Sequence, residues 1–351
     1  MTEHISTPAL VVDLDIFEAN VAAMESMLRD SGKTLRPHVK THRTPELAKR
    51  QLGGSARGVT CATVGEAEAM VAAGIDDVVI ANEVVDEGKL ARVADLARRA
   101  KVTIAADHPD AVRTLGRQAK TRGVTLGVLI DVDVLLHRCG VASIEEAVAL
   151  ATAIERTPGV RLAGLMGYEG RVRLSVENRS VKIAGAYRIL KDARDALIQA
   201  GHEVPVVSAA GTSTLRESIA DPTITEIQAG VYCLMEPELL VMDLPFKCAT
   251  SVRGTVISRH ADRVVVDIGR RVVGLEYGPP IPVGVHATKV SVSDEHATVT
   301  LDGTAPPRLG SRFDFIPGQI RTTFNLHDRV WIRRGDEIID CWPVTARGSS
   351  Q

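Results

Sequence analysis

The strongest constraint on the fold is an alternation of patterns. Between positions 9 and 245, short β-branched runs alternate with longer amphipathic stretches. The extended runs fall at 34–40, 58–63, 77–82, 102–107, 124–133, 162–168, 204–209 and 224–228. Helical patterns occupy 15–30, 65–73, 87–100, 109–122, 143–156, 181–200 and 213–219. Eight strands alternating with helices over this length predict an α/β fold, a parallel (β/α)8 barrel of TIM type at 9–245. A doubly wound open sheet uses the same alternation and is the competing topology.

After position 246 the texture changes. Segments 249–257, 263–268, 289–292, 297–301, 329–333 and 337–344 are short, alternating and separated by Gly, Pro or Asp-rich turns. They predict a C-terminal antiparallel β domain at 246–351, joined by residues 1–8. A chain of 351 residues suits one large domain plus a smaller one.

The net charge of -2 gives no reason to expect nucleic acid or an anionic membrane as partner. Cys61, Cys139, Cys233, Cys248 and Cys341 are scattered, with no Cys-x-x-Cys pair, which argues for a reducing compartment and against a thiolate zinc cluster. The first residues lack the basic start and apolar core of an export signal, and no apolar run suits a bilayer span. A cytoplasmic enzyme of small molecules is the expectation.

Polar and glycine residues cluster just after the predicted strands: Lys40-Thr-His42, Asn82-Glu83, Asp131-Val-Asp133, Tyr168-Glu-Gly170, Ala210-Gly-Thr212 and Gly230-Val-Tyr232. In a barrel those strand ends form the active-site face. Lys40 closes its run among Arg36, His38, His42 and Arg43, and neighbouring positive charge favours a neutral, nucleophilic amine able to form a Schiff base with an aldehyde. The plain alternative is a solvated lysine in a basic loop.

In Ser208-Ala-Ala-Gly211-Thr212-Ser-Thr214, small residues and hydroxyls before a helical pattern suit a phosphate cradle, or simply a capped strand-to-helix turn. Gly230 and Tyr232 would form its second wall. Arg138 is a fixed cation able to face a pyridine nitrogen without protonating it, or else the partner of Asp131 or Asp133. Tyr168 is a candidate for contact with a cofactor ring, or a packing residue at the barrel mouth.

Taken together, Arg36-Pro-His38-Val-Lys40-Thr-His, Gly65-Glu-Ala-Glu68, Ala81-Asn-Glu-Val84, Arg138-Cys-Gly-Val141, Gly167-Tyr-Glu-Gly170 and Gly211-Thr212 resemble the D-threonine aldolase and D-serine dehydratase family. So do the later segments Asp294-Glu-His296, Thr323-Phe-Asn-Leu-His-Asp328, Asp340-Cys-Trp-Pro343 and Ala346-Arg-Gly348. The resemblance implies a fold-type III pyridoxal 5'-phosphate enzyme, an alanine-racemase-like barrel followed by a β domain, working as a homodimer on a small amino acid. It implies that Lys40 carries the cofactor aldehyde, that Arg138 faces the pyridine nitrogen and that Tyr168 lies near the ring and the reacting carbon. Gly211, Thr212, Gly230 and Tyr232 would surround the phosphate, and His38 belongs to the same cofactor-binding set.

One segment departs from the family. Its members carry Pro-x-His-x-Cys or Pro-x-His-x-Asp, whose last two named residues bind a divalent metal that grips the substrate's β-hydroxyl. Here Gln319 and Arg321 stand in those places. A guanidinium cannot be a ligand and repels a dication, and Gln is a weak, uncharged donor. No metal is expected; His327 and His296 match family positions outside the metal pair. Arg171 replaces a common family histidine, and with Arg321 it suggests a substrate carrying a second anionic group; the alternative is local pairing with Glu169 or Asp314.

The expectation is a lyase for D-amino acids with a β-hydroxyl, by aldol cleavage or β-elimination, with Arg321 stabilising the developing oxyanion in place of metal. Two rivals use the same residues. One is a metal-independent racemase or epimerase with a second base such as Tyr277; the other is a cofactor carrier without catalysis.

Overall fold

The computed structural model describes residues 5–170 and 177–351. The chain divides into two compact units, one formed by residues up to 24 with 41–47 and 231–348, the other by 25–40, 48–230 and 349–351.

The chain opens with β1 (Ala9–Asp13) and α1 (Leu14–Leu28). Then come β2 (Thr34–Leu35), β3 (Val59–Cys61), β4 (Asp77–Glu83), β5 (Lys101–Ala106), β6 (Leu126–Asp131), β7 (Val160–Met166), β8 (Val207–Ala209) and β9 (Glu226–Ile227). These eight form one parallel sheet in the order β2-β9-β8-β7-β6-β5-β4-β3. Its two edges meet: parallel bridges join Leu35 to Ala56 and His38 to Thr60, backed by Arg57 N–H to Leu35 O at 3.0 Å and Thr60 N–H to Pro37 O at 2.9 Å. The sheet therefore closes, as expected, and the open doubly wound alternative is excluded. β2 is shorter than the run at 34–40 because Pro37 has no N–H to donate; pairing resumes at His38.

Between the strands run α2 (Pro45–Gln51), α3 (Val64–Ala72), α4 (Glu87–Leu96), α5 (Pro109–Arg122), α6 (Ile144–Glu155), α7 (Arg179–Gln199) and α8 (Leu215–Ala220). Their starts are written locally. The side chains of Thr63, Asp86 and Ser143 accept the N–H of Glu66, Lys89 and Glu146, satisfying donors that a helix leaves open at its first turn. α5 begins with Pro109 and stops at Gly123, whose φ of 67° suits a residue without a Cβ. Val79, Ala105, Leu129, Ala163 and Met166 form a buried cluster across β4 to β7.

Arg36 is buried and matched by two carboxylates, Nε to Glu226 at 2.8 Å and Nη1 to Asp77 at 2.7 Å, with Lys101 also on Asp77 at 2.9 Å. Glu226 and Asp77 open β9 and β4, so these bonds tie strands on either side of the closure. Asp77 and Glu226 raise the proton affinity of the guanidinium against the opposing effect of burial.

The other unit contains β10 (Thr250–Arg259), β11 (Arg263–Val266), β12 (Ile281–Pro282), β13 (Ala287–Val292), β14 (Ala297–Leu301), β15 (Arg312–Ile316), α9 (Ile320–Asn325), β16 (Arg329–Arg334) and β17 (Glu337–Pro343). With β1 they make a sheet ordered β13-β14-β11-β10-β1-β16-β17, with β15 on β10 and β12 on β15. Its pairs are antiparallel apart from β1 with β16. β1, β12, β15 and α9 went unrecognised in the sequence: β1 runs straight into a helical pattern, and β12 is two residues ending in proline.

Candidate active site

The strand-end clusters of the barrel unit share the C-terminal ends of parallel strands, hence one rim. Lys40 lies in a tight turn, Val39–Thr41, just past the His38–Thr60 bridge. The surroundings expected for it change in one respect: Arg36 is committed to Glu226 and Asp77 and is not an open positive neighbour. Across the rim, Lys40 Nζ stands 5.5 Å from the centre of the Tyr168 ring.

Two glycines shape the space around that ring. A Cβ at Gly170 would overlap the ring of Tyr168, so the aromatic lies directly against bare backbone. At Gly211 an added Cβ would meet Tyr168 at 3.5 Å, ordinary van der Waals contact, so the ring reaches the turn after β8. The turn itself, Thr212–Thr214, follows Ala210 with a φ of 78°, and Thr214 Oγ1 accepts Gly211 N–H at 3.1 Å. α8 is only six residues long, so the cradle rests on this turn more than on a helix terminus.

Arg138 lies on the loop after β6. The loop doubles back on the strand, with Asp133 N–H to Val141 O at 3.0 Å and Val141 N–H to Asp131 O at 2.9 Å. Gly140, with a φ of 102°, lets the chain pass within 2.5 Å of where a Cβ would touch Asp133 N, and its N–H reaches Asp107 Oδ2 at 3.0 Å. Asp133 is engaged by His137, backbone N–H and Nδ1 both at 2.9 Å, and these bonds hold its carboxyl below the usual range despite desolvation. Asp131 is pushed up to about 8 by burial and then by neighbouring Glu83, against the attraction of Arg138. Arg138 itself is exposed on this loop.

His38 is buried, with its backbone N–H 3.4 Å from Ala229 O, one residue before Gly230. Tyr232 falls in the other unit, fully buried, its ring 5.6 Å from that of Phe246. Sequence reasoning missed Glu169, Tyr187, Thr214 and Ser218, a buried set behind the turn. Glu169 and Thr214 are hydroxyl and carboxyl neighbours of named motif residues, but Tyr187 on α7 carries no local signal.

The segment expected to lack a metal site is equally definite. Gln319 caps α9, its Oε1 accepting Thr322 N–H at 2.6 Å, while its backbone O takes the Thr323 hydroxyl at 2.5 Å. Arg321 Nη2 donates to the Tyr277 hydroxyl at 3.1 Å and lies 3.7 Å from Glu236 Oε2. Glu236 Oε1 accepts Ile320 N–H at 3.0 Å; burial pushes its pKa up and Arg321 opposes that. His327 donates Nε2–H to Val272 O at 2.8 Å, and burial keeps it neutral. This donor set does not fit a divalent cation: one residue is a cap, the next a cation with its own carboxylate. The local partner of Arg321 is Glu236, while Asp314 pairs with Arg253 and Arg333. Arg171 lies outside the described residues.

Lys40, Tyr168, Gly170, Gly211 and Arg138 thus offer an amine, a ring contact, an open cradle and a fixed cation on one rim, a set that fits pyridoxal phosphate. The barrel portion, residues 12–236, matches the alanine racemase N-terminal domain family, and 249–332 matches the putative serine dehydratase domain. The chain is a member of the D-threonine aldolase and D-serine dehydratase family. It is 36% identical to a D-threonine aldolase of an Arthrobacter species, over 99% of this chain and 94% of that one. It is 32% identical to a 3-hydroxy-D-aspartate aldolase of Paracoccus denitrificans, over 98% and 93%. The crystal structure of the D-threonine aldolase from Filomicrobium marinum superposes with a TM-score of 0.95 at 34% identity, covering 99% of this chain and 97% of that one. Family membership accounts for the barrel, the second sheet and the strand-end motifs together.

Proposed function

We propose that this family member is a pyridoxal 5'-phosphate-dependent lyase acting on a D-amino acid with a β-hydroxyl group, by aldol cleavage or β-elimination. The observation that carries it is the Lys40 amine 5.5 Å from the Tyr168 ring, on the rim that also holds the Gly211 turn. The cofactor supplies an electron sink that lowers the barrier to breaking a bond at Cα. Lys40 would hold the cofactor aldehyde, and its amine would carry a proton on one face of the reacting carbon. Tyr168 would pack against the bound ring. Arg138, permanently charged, would donate to the pyridine nitrogen without giving up a proton, which suits carbanions that are captured quickly.

Arg321 replaces the family's metal in this reading. Arg321, held by Glu236 and Tyr277, is the fixed positive charge this reading assigns to the β-oxygen as it becomes anionic, the role a Lewis acid fills elsewhere. In the racemase alternative the suggested second base is Tyr277, whose hydroxyl oxygen accepts from Arg321. Among the described residues no helix is long and apolar enough to cross a membrane. A cytoplasmic homodimer is part of the proposal, supported by the resemblance.

The test is a screen of D- and L-β-hydroxy amino acids that separates aldehyde release from keto-acid formation, run with and without a chelator. Turnover of a D-substrate that survives chelation is the expected result. Complete loss with EDTA and rescue by Mn2+ would sink the metal-free part alone. Loss of optical rotation without cleavage would sink the lyase.

A further inference from the structure

Glu169 follows Tyr168 and is 1% exposed, yet no step of the reaction above employs it. Its Oε1 meets the Thr214 hydroxyl and the Tyr187 hydroxyl, the latter at 3.0 Å. The Tyr187 hydroxyl in turn lies 2.5 Å from Ser218 Oγ, and Ser218 Oγ lies 2.7 Å from Thr214 O. The hydroxyls of Thr214, Tyr187 and Ser218 supply three hydrogens for these four short oxygen–oxygen contacts, with Thr214 Oγ1 also 3.3 Å from Gly211 O, and a proton on the carboxyl supplies the fourth.

We propose that Glu169 is kept as the neutral acid and in that form is a positioning residue for the cofactor phosphate. It fixes the Thr214 hydroxyl, and through it the Gly211 N–H, so that the turn 211–214 is shaped before the anion arrives. The proposal rests on the reading that this turn holds the phosphate.

Directionality supports it. Thr214 Oγ1 has a single hydrogen; giving it to Glu169 leaves the oxygen's lone pair for Gly211 N–H at 3.1 Å. Neutrality matters because an ionised carboxyl behind the turn would repel a phosphate dianion across a short, poorly screened distance. Burial acts in the same direction, pushing the carboxyl's pKa up against the influence of the Thr214 and Tyr187 hydroxyls and the backbone N–H groups of Glu169 and Ala210, which face it. From α7 comes a second brace on the same turn: Arg179 donates to Ser213 O and pairs with Glu217 at 2.5 Å.

The experiment compares holoenzymes of the wild type, Glu169→Gln, Glu169→Leu, Thr214→Ser and Thr214→Val. The readouts are cofactor affinity, the phosphorus NMR shift of the bound phosphate and the infrared carbonyl band of a protonated carboxyl. Wild type should show that band and Glu169→Gln should lack it, yet Glu169→Gln and Thr214→Ser should hold cofactor within about threefold of wild type. Glu169→Leu and Thr214→Val should bind about tenfold or more weakly, with a displaced phosphorus signal. Raising pH should loosen the cofactor in wild type and not in Glu169→Gln. Absence of the carbonyl band, or wild-type affinity and phosphorus shift in Thr214→Val, overturns the proposal. Should wild type bind pyridoxal as tightly as pyridoxal phosphate, the phosphate turn itself is wrong; an intact carbonyl band would then still mark Glu169 as neutral.

Discussion

Two buried polar clusters of the same barrel solve one problem in opposite ways. Around Arg36, a guanidinium meets the carboxylates of Glu226 and Asp77 at 2.8 and 2.7 Å. Around Glu169, hydroxyls are the partners and the carboxyl keeps its own proton. The first cluster ties β2, β4 and β9, where only chain has to meet chain. The second stands behind a turn that has to receive an anion. Charge is matched where the barrel closes and removed where it binds, so the first should carry stability and the second function.

The widest separation expected between the two regions comes from Lys40→Ala. Turnover should fall by about a thousandfold or more with loss of the cofactor's visible absorption band, while the melting temperature of the apoprotein barely moves. Arg36→Met should do the reverse: it strands the buried Glu226 carboxylate, while Asp77 keeps Lys101, and should cost roughly 3–5 kcal/mol by denaturant unfolding, with cofactor affinity of the folded protein retained. A stable Arg36→Met protein that cannot bind cofactor would break the comparison.

Next in size is Arg321→Gln, which should lower kcat/KM for the D-β-hydroxy substrate by about a hundredfold with little change in cofactor affinity; Arg321→Lys should recover part of it. The smallest effect concerns pH. The carboxyl of Asp131 is raised to about 8 in the folded chain and is about 3.9 when unfolded. Its contribution to stability is full at low pH and lost as pH rises through its folded value. The melting temperature should therefore fall between about pH 4 and 8, and Asp131→Asn should flatten that slope; an equal slope in both proteins would count against a proton-retaining Asp131.

Much of the barrel was legible because its strands are β-branched runs with polar ends, and its helices carry their own caps at Thr63, Asp86 and Ser143. Lys40, Tyr168 and Gly211 were legible for the same reason, each closing such a run. The β domain was legible only in part. β12 and β15 owe their pairing to each other and to β10, so nothing within either segment announces it. The charge around Lys40 was misjudged because Arg36 finds its partners 41 and 190 residues away. Glu169 was passed over similarly: Tyr187 and Thr214 lie 18 and 45 residues on, and only the closed barrel brings them together.

The overlap between Tyr168 and any side chain at position 170 has a practical edge. Libraries that vary this enzyme's rim one codon at a time will find position 170 closed to larger residues while Tyr168 stands, and a side chain there becomes reachable only in pairs where Tyr168 shrinks as Gly170 grows.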